Sequence, residues 1–181
     1  YQFFKVFDDN QLEYILLAKG ASDDVYMVVK LAAFQLSCLL TAYKERFDKD
    51  NFIKNLLLDN LLLVDIYNRA KKLHIMTEVR RVVFIIESNR EKVNMALDSV
   101  RSHFGSKSRD FVTAVDEKNV IVVKELAPGE GYAEMIKAAQ EMKEVVSVLD
   151  SEEVHVALGT IVGEIKEVSR SYKEARMALD V

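Results

Sequence analysis

The sequence predicts an α+β protein. It opens with a β-hairpin and a long helix, continues through a helical linker, and ends in a ferredoxin-like β-α-β-β-α-β unit closed by a C-terminal helix. Three observations lead there. No glycine or proline falls between Gly20 and Gly105, so helix dominates that span. At Arg81 the apolar pattern changes period, and "VVFIIE" runs without a polar break, as a strand buried on both faces does. From there to Gly159, strand-like and helix-like segments follow in the order β-α-β-β-α-β.

Each element has its own signal. "FFKVF" and "LEYILLAK" flank the turn-rich "DDNQ" and carry aromatic and β-branched residues, so they form the hairpin. In "ASDD", Ser22 or Asp23 supplies a helix cap, and the helix is expected from Asp24 to Phe47. Val25, Val29, Ala32, Leu36, Leu39 and Tyr43 step by four and three, the spacing of a helix–helix seam. That seam is the expected interface of a homodimer. "FDKDN" reads as an interruption with Asp48 or Asp50 as the next cap, and Asp59-Asn60 as a bend before a helix ending near His74. Ser88 or Asn89 caps a helix reaching Phe104, with Gly105 closing it. "DFVTAV" and "VIVVKEL" form a second hairpin around "DEKN". "APGEG" is a loop, "YAEMIKAAQEMKEVVSVL" a helix, "VHVALG" a strand and "SYKEARMALD" part of the last helix. The expected division is 1–47, 48–76 as linker, and 77–181.

Composition limits the function. The chain has 181 residues, half of them apolar, and a formal charge of −4. The mild acidity and scattered basic residues argue against DNA binding by these residues themselves. A single cysteine excludes an internal disulfide, and three histidines make a Cys/His zinc site a poor fit. Cys38, within an apolar helical run, is expected to be a buried reduced thiol. Val25 to Tyr43 is about long enough to span a bilayer, but Lys30 and Gln35 interrupt it, so it reads as a buried helix with several packing partners. Opening on Tyr1 with no leader pattern, the sequence reads as an interior piece of a longer cytoplasmic protein.

Catalytic motifs are sparse. There is no nucleophile elbow, P-loop, dinucleotide fingerprint or H-E-x-x-H. His155 alternates with valines on one sheet face, and His74 and His103 sit at helix ends. Glu87, ending the first strand of the unit, and Asp116 and Glu117, in the hairpin turn, are the most notable carboxylates: clustered there they could hold Mg²⁺ and a triphosphate, although Asp and Glu are also ordinary soluble turn residues. Lys118 opposes a cation there. No metal or cofactor is expected.

The region from Arg81 to Val181 resembles the degenerate GGDEF-like domain of PucR/CdaR-type bacterial transcription regulators. The resemblance rests on "RRVVFIIE", "DFVTAVDEKNVIVV", "VHVALG" and "SRSYKEARMAL". The family stretch S-Y-x-E-A-x-x-A-L falls on Ser171, Tyr172, Glu174, Ala175, Ala178 and Leu179. "NFIKNLLLDNLLLVDIYNRAKKLHI" resembles the helical lead-in, extending the match from Asn51. The opening hairpin and helix resemble the tail of a PAS- or GAF-like sensor. The resemblance implies a regulator that answers a small-molecule effector upstream and binds DNA through a helix-turn-helix beyond Val181. It also implies lost catalysis. Diguanylate cyclases place two glycines and then metal-holding acids in this hairpin, whereas here Asp116-Glu117-Lys118-Asn119-Val120 occupies that position. Two other readings stand beside this one: a nucleotide-binding or cyclase-like enzyme using Glu87, Asp116 and Glu117, and a purely structural dimerisation module.

Overall fold

The computed structural model describes residues 1–8, 11–20, 24–105, 109–149 and 154–180. The chain forms two compact units, 1–49 and 50–181. The hairpin turn at 9–10 and the proposed caps Ser22 and Asp23 lie outside the described residues.

In the first unit, β1 (Gln2–Asp8) and β2 (Gln11–Ala18) pair antiparallel, with an irregularity between Val6 and Phe7. One face of this hairpin turns to the helix that follows. Phe4 packs on Tyr26 with ring centroids 5.2 Å apart, and Val6 is buried. Gly20 permits the close return: a Cβ there would stand 2.3 Å from Cγ2 of Val25.

The long helix α1 spans Asp24–Leu57 without a break. The polar "FDKDN" therefore does not interrupt it, and neither Asp48 nor Asp50 is a cap. Ion pairs one turn apart carry the helix through: Lys49 with Glu45 at 2.6 Å and Lys54 with Asp50 at 2.9 Å. Nor is the apolar stretch of α1 a buried helix in the single chain. Most of it is exposed, Cys38 included, which corrects the expectation of a buried thiol. Within the expected seam, Val29 is buried and Val25 and Leu36 are half-buried, whereas Ala32, Leu39 and Tyr43 are exposed. Among the described residues, α1 is the one helix long and apolar enough to cross a membrane.

In the second unit, α1 ends on Asp59, whose φ of 60° is the left-handed turn of a helix C-terminus. The Asn60 N–H bonds back to Asn55 O at 2.9 Å. Helix α2 (Leu63–Lys72) ends the same way on His74, φ 56°. The sheet follows: β3 (Arg81–Glu87), β4 (Phe111–Ala114), β5 (Asn119–Glu125) and β6 (His155–Leu158), in the spatial order β4-β5-β3-β6, all neighbours antiparallel. This is the split βαβ order that the sequence pattern predicted.

Helices α3 (Val93–Val100) and α4 (Tyr132–Ser147) cover one face of the sheet. Val82, Phe84 and Ile86 meet Ala96, Val100, Met135 and Met142 there. Residues of the expected linker cover the other face. Phe52, Ile53, Leu56, Ile66 and Ala70 pack on Val83, Ile85, Ile121 and Val123, joined by Tyr172 and Ala175 of α5 (Val168–Leu179). Burying a leucine or isoleucine fully contributes roughly 1.5–3 kcal/mol, so residues 50–76 help to hold this unit together. Tyr67 fixes α2 further by donating its hydroxyl to Glu164 Oε2 at 2.9 Å.

Helix α3 departs from expectation at both ends. Neither Ser88 nor Asn89 caps it; Lys92 holds the cap position without a side-chain bond. Beyond Val100 the chain widens into a π turn, Arg101–Gly105, and Gly105 lacks the left-handed φ of a C-terminal glycine. In this turn Arg101 is held by Val112 O at 3.1 Å and by Asp50 at 3.4 Å.

Candidate functional site

The β4–β5 turn sits where the first strand of the sheet ends. Glu87 pairs in register with Asn119, and Ser88 N–H donates to Lys118 O at 2.9 Å. The backbone thus brings Glu87 beside Asp116, Glu117 and Lys118, as the strand order requires. Of these, the Asp116 and Glu117 side chains are already engaged. Asp116 Oδ1 accepts from the Lys118 and Asn119 N–H groups at 2.9 and 2.8 Å, and its Oδ2 accepts from Asn119 Nδ2 at 2.8 Å. Arg176 from α5 stands 3.8 Å away. Glu117 pairs with Arg90 at 2.8 Å, on the surface.

This explains a turn without glycines. None of its residues has positive φ, and a side-chain carboxylate binds the N–H groups two and three residues on. Burial raises the Asp116 pKa, but the Asn119 amide, the two backbone N–H groups and the Arg176 charge outweigh it, leaving the value below the ordinary one. Asp116→Asn is therefore expected to cost about 1 kcal/mol at neutral pH. The sign follows from a depressed folded-state pKa: the contribution is complete above the unfolded value of about 3.9 and fades as pH falls through the folded one. Urea midpoints of parent and variant should converge in acid. A gap that stays constant through that window speaks against this role.

The Ser171–Leu179 stretch of α5 works as a clamp on the loop after β6. The β3–β6 ladder stops at Phe84 and Leu158, and Gly159 N–H adds one bond to Val83 O at 3.0 Å. The fully buried Ser171 then takes over. Its Oγ accepts from Val83 N–H at 3.1 Å and donates to Thr160 O at 2.8 Å. Glu174 accepts from the Thr160 N–H at 3.0 Å and from the Thr160 hydroxyl, and these bonds lower its pKa. Tyr172 and Ala175 are buried in the core, and Leu179 packs at its edge. Ala178 is exposed and nothing in the structure explains it. Tyr172 also holds Arg176, whose Nη1 donates to the phenol oxygen at 3.2 Å. A single helix therefore fixes both the β6 exit and the β4–β5 turn.

Sequence reasoning missed Thr160, Arg176 and Arg81. Arg81 is 1% exposed, donates to Met76 O at 2.7 Å and meets Glu125 at 3.3 Å. The signals were thin: a glycine–threonine pair after a strand, and a basic pair before one. His103 belongs to an open depression of 420 Å³ beside the π turn, with Asp98, Ser99, Ser102 and Val145. Among the described residues no three His, Cys, Asp or Glu side chains converge as metal ligands.

Residues 60–181, two thirds of the chain, match the family model described as GGDEF-like domain. Comparison with curated proteins gives no match.

Proposed function

The chain belongs to the GGDEF-like domain family, and from that premise we propose that it is the non-catalytic, signal-transmitting and dimerising region of a cytoplasmic transcription regulator of the PucR/CdaR type. Effector binding by an upstream sensory domain would alter how the long helices of two copies pack. That change would reposition helix-turn-helix domains lying beyond Val181. A bistable helix interface with a gap of a few kcal/mol is enough for such a switch.

The bonding of Asp116 carries the non-catalytic part of this reading. An acid that would need to face a metal instead closes its own turn and answers Arg176. Lys118 adds a positive charge where a nucleotide enzyme needs negative ones. The regulator class draws on the α5 stretch from Ser171 to Leu179. The enzyme alternative keeps one observation, the adjacency of Glu87 to the turn.

Incubating the chain with GTP and Mg²⁺ tests the choice. The expected result is neither cyclic dinucleotide nor GTP turnover. Turnover that disappears in Glu87→Ala would overturn the proposal in favour of the enzyme.

A further inference from the structure

Strand β4 forms one edge of the sheet, so part of its backbone has no ladder partner. The ladder fixes which part. In an antiparallel pair, facing residues alternate between those that exchange hydrogen bonds and those that do not. The Gly159 N–H bonds to Val83 O, so Val83 turns its backbone groups toward β6, and Phe84 and Ile86 turn theirs toward β5. Val122 and Val120 of β5 are the partners of that pair, which leaves Val123 and Ile121 to bond with Phe111 and Thr113 of β4. Val112 and Ala114 therefore direct N–H and C=O outward. Phe111–Ala114 contains no charged residue, and its aromatic and β-branched side chains suit the addition of another strand.

The π turn after α3 covers this edge. Arg101 Nε donates to Val112 O at 3.1 Å, and its Nη2 donates to Asp50 Oδ1 at 3.4 Å, which holds the guanidinium in place. Gly105, closing the turn, lies against the same residue: a Cβ there would be 3.9 Å from Val112 Cγ2. A charged group held on an edge obstructs an incoming strand in two ways. It occupies the acceptor that the new N–H would use, and it would have to give up its water beneath that strand. We propose that Arg101 guards the β4 edge against strand pairing with a second copy of the chain. The strand kept out is the β4 of that copy, because two such edges related by a two-fold axis pair antiparallel through the same outward groups of Val112 and Ala114.

The test follows the full 181-residue chain by sedimentation and thioflavin T fluorescence, each read against the parent's own assembly state. Arg101→Ala is expected to associate beyond that state, with a loss of dispersed protein and a rise in fluorescence. Ala114→Pro removes an outward N–H at an edge position, where proline is tolerated, so the double variant should stay dispersed. Deuterium exchange supplies a second readout that does not depend on the proline. In the associated Arg101→Ala protein, the amides of residues 111–114 should exchange more slowly than in the parent. An Arg101→Ala protein that stays as dispersed as the parent overturns the proposal. So does association that leaves these amides unprotected, or that persists in a folded double variant, since another surface would then be responsible.

Discussion

Gly159→Ala is expected to destabilise the second unit by about 3 kcal/mol or more. The cause is space and not backbone freedom, since Gly159 lacks a positive φ. A methyl group there would stand 1.9 Å from Ser171 O and 2.6 Å from Ser171 Oγ. Backbone cannot yield as a side-chain tip does, so α5 must move off the sheet. Moving it breaks the bonds from Ser171 to Val83 and Thr160 together, leaving a buried N–H without a partner. Gly163→Ala is the control: nothing lies within 4 Å of its Cβ position, and its cost should stay within about 0.5 kcal/mol. Urea denaturation of the two variants beside the parent decides. Equal midpoints for Gly159→Ala and Gly163→Ala would show that α5 is not seated on this glycine.

Glu125→Ala should cost about 3–5 kcal/mol, because it strands a buried positive charge. Burial lowers the pKa of Arg81, and Glu125 is the carboxylate that opposes this. Two Arg81 nitrogens, Nε and Nη1, already lack partners, so the guanidinium has little to fall back on once Glu125 is gone. Arg81→Met removes the buried charge and retains most of the volume, while Glu125 keeps Arg109 at 3.4 Å, so this variant should cost less than Glu125→Ala. In the Arg81→Met background, Glu125→Ala should then cost little. The four proteins form a double-mutant cycle, with the coupling read from denaturation midpoints. A cost for Glu125→Ala that is the same in both backgrounds would sink the argument.

Much of the second unit was legible because its strands and helices are written locally. The unbroken run of β3 announces a strand with both faces covered, and Met135, Ala138, Met142 and Val146 mark the inner face of α4. Long-range information was not legible. "FDKDN" looks like a break because the charges that support the helix through ion pairs are the residues that usually end one. Val25-Val29-Leu36 and Met27-Leu31-Phe34 have similar spacing, and only the position of the hairpin distinguishes a covered stripe from an open one. At the β4–β5 turn, the sequence shows that the turn has no glycine. That Asp116 would take over the turn depends on Asn119 beside it and on Arg176, sixty residues away in the chain.

The two sets of helices on the second face of the sheet come from opposite ends of the unit: Phe52 to Ala70 before the strands, and Val168 to Ala175 after them. During synthesis the first set emerges early and waits, while the sheet it must cover is still being made. Closure falls to α5, the last element of the unit to leave the ribosome. A nascent chain paused before Val168 would hold Val83 and Ile85 without that lid. Such a species exposes apolar sheet and is prone to aggregation.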